Sequence, residues 1–251
     1  MTIHLTDAIL IYALVFARTG AMIMLLPAVG DTAVPPRVRL AIALAVSIAL
    51  TPTLAAAYPG PLPSQPMALG FALAKEVTAG IVVGGMARII MSALSVAGYL
   101  IATQTGLAYA QTIDPTMGEQ GAIVDTFFTL LGTVLIFATN LHHLAIHAIV
   151  GSYTLLPPGA ALPTGDLAEL SIRLTSGAFA LGLQLAAPFL VFGFAVYAAI
   201  GLLARLMPQL QVFFIAMPIN ILFGFFILML LLGSLMTVFL DYFAAQMGAF
   251  Q

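Results

Sequence analysis

Charged residues make up only 6% of this 251-residue chain and hydrophobic residues 62%, whereas an ordinary soluble domain carries roughly 25% charged residues, so no water-soluble core of this length could hide the apolar surface. Seven Lys and Arg against nine Asp and Glu leave a formal charge of -2, which argues against a basic nucleic-acid face and a polybasic lipid-binding tail. The absence of Cys excludes disulfides, thiol catalysis and thiolate metal sites.

With a mean hydropathy of +1.15, the apolar runs leave no room for a separate aqueous domain. The first run, Asp7 to Leu26, stops at Pro27, and residues 8–30 carry one charge, Arg18. The amino terminus, MTIHLTDAILIY, lacks the cationic start of a signal peptide and is expected to be retained. In the connector Ala28–Arg39, Pro35-Pro36 disfavours helix at Val34 and Pro35 and offers a rigid restart to the next helix. That second segment, Val38 to Ala57, ends in the proline-rich loop Tyr58–Pro66. From Met67 to about Tyr109 an apolar region is punctuated by Lys75, Glu76 and Arg88, and reads either as two helices or as one long helix bent near Gly84-Gly85. The stretch GLAYAQTIDPTMGEQG, Gly106–Gly121, is rich in Gly, Thr, Gln, Asp and Pro and reads as irregular backbone between two membrane-grade helices. The next helix is expected over Ala122–Val150, followed by the connector Leu155–Asp166.

The last third holds Ser171–Ala204 and Gln209–Asp241, two nearly uninterrupted apolar helices joined by RLMPQLQ, Arg205–Gln211. At about 1.5 Å per residue each runs on the order of 50 Å, against a hydrocarbon core of roughly 30 Å. Kinks at Pro188 and Pro218, strong tilt, or packing within an assembly that stands proud of the bilayer would accommodate them. Arg37, Arg39, Arg88, Arg173 and Arg205 are spread without a one-sided excess, so charge bias assigns no orientation to the termini.

A lone cation at the position of Arg18 costs several kcal/mol unless it is paired or faces a wet cavity. It reads either as a residue lining a conduit or, the preferred reading, as a buried contact to carbonyls or to a carboxylate such as Glu76, in this chain or on another subunit. Lys75-Glu76 itself reads as a solvated or interfacial helix start rather than a proton relay. His143 and His147 stand at i, i+4, a spacing a metal can use, but no carboxylate follows His143, so polar packing near a helix end is preferred. Gly80 and Gly84 form a small-xxx-small pair for close helix approach, and Ala178, Gly182 and Ala186 repeat the spacing. The Met residues read as core filling. With no phosphate loop and no nucleophile elbow, the chain gives no support for enzymatic activity.

Three stretches in this order, FARTGAMIMLLPAVGDTAVPPRVRLAIALAVSIALTP (Phe16–Pro52), the Gly106–Gly121 insert and LLARLMPQLQVFFIAMPINILFG (Leu202–Gly224), resemble the FliR/SctT family of export-gate subunits of bacterial type III secretion, in its flagellar branch. The R-x-G, VPxxVR and RxxPQ patterns are specific only together, and the resemblance spans nearly the whole chain.

The resemblance implies an all-α membrane protein of about six long hydrophobic helices. Its first part, residues 1–165, is similar to a FliP fold, and residues 166–251 form a FliQ-like C-terminal hairpin. It implies assembly with FliP and FliQ subunits, engagement of an FlhB-type subunit, passage of unfolded export substrates, and contact with membrane lipids but not nucleic acid. It further implies a location in the bacterial inner membrane at the flagellar basal body, and no cofactor or metal is expected. The family's axial plug maps to Gly106, Tyr109, Ile113, Asp114, Pro115, Met117, Gly118 and Gly121, with Ile113 and Met117 as sealing contacts. Irregular backbone at membrane depth is tolerated where it is buried in protein or lines a cavity. Arg205, Pro208 and Gln209 match the family's inter-helix turn near FlhB. A small-solute secondary transporter is the alternative, although no inverted repeat is visible in the chain.

Overall fold

The computed structural model describes residues 5–31, 34–58, 62, 65–108, 123–207 and 212–249. Among the described residues the chain is built of α-helices, with one short 3-10 turn. They are α1 (Leu5–Ile23), α2 (Pro36–Leu54) continued by a 3-10 turn (Ala55–Ala57), α3 (Pro66–Thr105), α4 (Ile123–Ala138), α5 (His142–Leu155), α6 (Thr164–Leu206) and α7 (Val212–Gly248). Four helical stretches, Pro36–Ala57, Pro66–Thr105, Thr164–Leu206 and Ala216–Gly248, are long and apolar enough to cross a membrane, and the α4–α5 pair together makes up to five. The chain is an all-α membrane protein.

Local chemistry sets the boundaries. Pro36 occupies the first turn of α2, where its missing N–H removes no helical bond, and Pro35 before it is extended at φ -56°, ψ 140°. The connector after α1 closes on itself: Arg39 donates from Nε to the Val34 carbonyl at 3.0 Å, and the Gly30 N–H donates to the Leu26 carbonyl at 2.8 Å. A Cβ on Gly30 would collide with the Met24 main chain, so only glycine fits this fold-back. At the far end of α3 Gly106 adopts φ +80°, the left-handed stop that glycine takes without steric cost.

Two sequence expectations resolve or change. The apolar region after Pro66 holds a single helix, α3, of 40 residues, about 60 Å long and continuous through Gly84-Gly85. The helix expected over Ala122–Val150 is instead broken into α4 and α5, which meet at 80°. Asn140 sits at the break with φ +60°, and its carbonyl accepts from the His143 N–H at 3.1 Å. Asn tolerates this conformation better than most residues with a Cβ, which is why the run turns a corner here with no Pro or Gly at the break.

The chain divides into two compact units: residues 1–90, 137–175 and 243–251, and residues 91–136 and 176–242. In the first, Ile11 and Val15 of α1, Leu54 of α2 and Tyr153 of α5 form a buried cluster, with Leu50, Leu62 and Val150 against it. In the second, Leu94, Phe128, Phe189 and Phe239 are fully buried. Gly132 of α4 leaves the space that Leu94 fills, and Gly182 of α6 leaves the space filled by Val96. Ala178 and Ala186, one turn to either side of Gly182, are buried too. Met22 and Met86 fill the first unit's interior without exposure.

At 43 and 37 residues, α6 and α7 are longer than the sequence suggested, about 65 and 56 Å. Pro188 and Pro218 both lie inside them. Large apolar side chains stay open along both, among them Phe194, 78% exposed, and Met229, 83% exposed. A perpendicular crossing of the hydrocarbon core takes only roughly 20 residues, so both helices are longer than a simple span needs.

Candidate functional site

Two places combine polar chemistry with burial, one in each unit. In the first, Arg18 lies on α1 at 2% exposure. Its Nε donates to Glu76 Oε2 of α3 at 2.6 Å. Its two terminal nitrogens donate to the main-chain carbonyls of Ser152, at 3.0 Å, and Leu156, at 2.9 Å. Both carbonyls lie at the C-terminal end of α5, where the helix dipole favours a cation; that of Ser152 also accepts from the N–H of the C-cap residue Leu156 at 2.9 Å. The guanidinium also lies 4.0 Å from the centre of the Tyr153 ring, a cation–π contact strengthened by loss of water. One side chain thus joins α1, α3 and α5 with its charge balanced by a carboxylate and a helix terminus.

The approach of α1 to α3 that allows this pairing depends on glycine. A Cβ on Gly80 would collide with the Arg18 carbonyl and the Ala21 side chain, and one on Gly84 with the Met22 carbonyl and Leu25. The small-xxx-small pair therefore sits against the arginine's own turn, bringing two sequence features into one contact. Lys75 is exposed while Glu76 is 3% exposed, so the two do not act together as a solvated helix start; α3 begins at Pro66.

Sequence reasoning did not single out Ser152, Tyr153 or Tyr58. The rings of Tyr58 and Tyr153 meet edge to face at 6.3 Å. The hydroxyls of Thr19, Tyr58 and Tyr153 are buried in the same region. A polar core around a cation was foreseeable from Arg18, but nothing local marks which carbonyls receive it.

In the second unit the polar site is the end of α3. Asn220 of α7, 6% exposed, donates from Nδ2 to the Gln104 carbonyl at 3.1 Å. Gly224, one turn along α7, faces Thr105, and a Cβ there would collide with the threonine side chain. Gly193 of α6 makes the same allowance for the Gln104 side chain. Where the chain resumes, Asp125 lies in the first turn of α4, a favourable place for a carboxylate. Its backbone approaches so closely that Gly98 of α3 admits no Cβ. Thr129 Oγ1 donates to Asp125 Oδ1 at 3.3 Å. Asn220 carries a sequence signal: it is an amide flanked by apolar turns, a residue type that commonly hydrogen-bonds a neighbouring helix.

Of the proposed plug positions, Gly106 is placed as the left-handed stop of α3, and Tyr109, Ile113, Asp114, Pro115, Met117, Gly118 and Gly121 lie outside the described residues. Arg205 is exposed in the last turn of α6, while Pro208 and Gln209 also lie outside the described residues. His143 and His147 are exposed on α5. The His143 ring packs 4.2 Å from His142, which stacks on Phe137 at 5.0 Å across the α4–α5 corner. Among the described residues no three His, Cys, Asp or Glu gather at metal-binding spacing.

Residues 9–246 match the family described as bacterial export proteins, family 1. The chain is 43% identical over 229 residues, 91% of each protein, to the flagellar biosynthetic protein FliR of Caulobacter vibrioides. It is 28% identical to the protein of the same description from Bacillus subtilis, over 90% of this chain and 88% of that one. A 27% likeness to the Yop proteins translocation protein T of Yersinia pestis covers 59% of this chain and 58% of that one.

Proposed function

This chain belongs to the bacterial export proteins, family 1, and from that premise we propose that it is a structural and gating subunit of the flagellar type III protein export apparatus in the bacterial inner membrane. It joins FliP and FliQ subunits in the export gate for unfolded flagellar proteins, with residues 1–165 in the FliP-like role, residues 166–251 as the FliQ-like hairpin, and the turn at Arg205 near an FlhB-type subunit. The observation that carries the reading is the 43% identity along 91% of the chain to a flagellar biosynthetic protein. The likeness to a Yop translocation protein extends it to type III export more broadly. The apolar length left open on α6 and α7 supports a place inside an assembly.

In this reading the segment Gly106–Gly121 obstructs the closed channel and moves aside during export, with Ile113 and Met117 sealing it. Its role is mechanical rather than catalytic. The test of assembly is gentle detergent extraction of an affinity-tagged copy from its native cells, followed by native mass spectrometry. The expected result is one copy of this chain with several copies of two other small helical membrane proteins. A stable lone monomer or homodimer would overturn the reading and favour the transporter alternative.

A further inference from the structure

Asn220 is a buried amide on a helix whose neighbouring turns are apolar, and apolar packing alone does not account for it. A leucine there would carry no polar group to desolvate, whereas the Asn220 Oδ1 is buried without a partner among the described residues, a cost that must be offset. What the side chain provides is directional: its Nδ2 holds the Gln104 carbonyl at 3.1 Å. Gln104 is among the last four residues of α3, whose carbonyls have no intrahelical donor, and Gly106 turns the chain out of the helix at φ +80°. Thr105 spends its hydroxyl on the Ile101 carbonyl at 2.8 Å, leaving its methyl group to occupy the space Gly224 leaves open. Asn220 and Gly224 lie one turn apart on α7 and so grip two consecutive residues, one by a hydrogen bond and the next by shape.

We infer that Asn220, with Gly224, is a latch: a positioning residue through which α7 fixes the end of α3, and with it the direction in which the chain departs at Gly106. This rests on the reading of Gly106–Gly121 as the plug. Gln104 lies two residues before the left-handed Gly106, so in this reading α7 is the element whose displacement is transmitted to the plug.

The test compares four forms of the assembled complex in native membranes: wild type, the deletion of residues 110–119, Asn220→Leu, and the two changes together. Passive ion leak and the yield of intact complex by native mass spectrometry are read for each. Asn220→Leu removes the donor and suits an apolar helix, and its expected effect is a leak increased roughly 2- to 10-fold, the shift in a closed–open equilibrium when one hydrogen bond is lost. Gly224→Ala, which pushes Thr105 out of its notch, should leak in the same direction, and Asn220→Gln, which retains an amide donor, should leak less than Asn220→Leu. The double form should leak no more than the deletion alone. A leaky deletion beside an assembled but tight Asn220→Leu complex overturns the latch and leaves the plug standing. A drop in complex yield with no leak through what assembles means a purely structural role and overturns the latch as well. A tight deletion form overturns the plug reading, and the latch with it.

Discussion

Removing the Arg18 charge is expected to be among the most damaging single changes in the first unit, and the geometry gives its size. Arg18→Met takes away the one positive charge paired with Glu76 among the described residues, leaving a carboxylate at 3% exposure. Breaking a buried pair on one side costs about 3–5 kcal/mol. Arg18→Met with Glu76→Met removes both charges, and replacing a whole buried pair with apolar side chains is often neutral or stabilising. The double variant still loses the donor to the Leu156 carbonyl, whereas Ser152 keeps the Leu156 N–H at 2.9 Å. One orphaned carbonyl accounts for about 1–3 kcal/mol. The double variant should therefore be more stable than Arg18→Met alone by roughly 2 kcal/mol, and the two single losses together should exceed the double loss. Equilibrium unfolding of the purified chain in detergent, or thermal release of this subunit from the extracted complex, measures the cycle. If the two single losses simply add, the buried charge is not what Arg18 neutralises and the reasoning fails.

Other expectations follow from the same contacts. Gly80→Ala should destabilise by more than about 1 kcal/mol because its Cβ meets a main-chain carbonyl that cannot rotate away. Gly85→Ala, with nothing within 4 Å of its Cβ, should be neutral or gain up to about 1 kcal/mol in helix propensity; equal melting shifts for the two would contradict the close approach of α1 to α3. Asn140→Gly should leave stability nearly unchanged at φ +60°, while Asn140→Ala should lose on the order of 1 kcal/mol, and a straightened corner would show as equal tolerance of both. Arg39→Ala frees the Val34 carbonyl, and the connector before α2 should then become more susceptible to limited proteolysis; unchanged cleavage would mean that the Pro35-Pro36 pair alone holds it.

Much of this molecule is written in local composition. Twenty or more apolar residues in succession have one stable form in a bilayer, the helix, because every main-chain group must be satisfied within its own segment. That argument located α2, α6, α7 and the long region of α3. Where it went wrong, at Ala122–Val150, the deciding event was one asparagine in a left-handed conformation, and hydropathy carries no information about a single φ angle. The length of α3 was also beyond it, since Gly84-Gly85 permits a bend without requiring one.

The sequence by itself also determined that Arg18 needed a partner, since the cost of an unpaired buried charge is a property of the charge and its solvent. Glu76, 58 residues away, was one candidate carboxylate in the sequence, whereas the carbonyls of Ser152 and Leu156, 134 and 138 residues away, come within reach only through the tertiary structure. Carbonyls have no residue-type signature, so the end of α5 could not be read as an arginine's acceptor. The same holds for the Gln104 carbonyl held by Asn220, 116 residues on. Composition states which groups must be satisfied, and packing alone states where the satisfying groups come from.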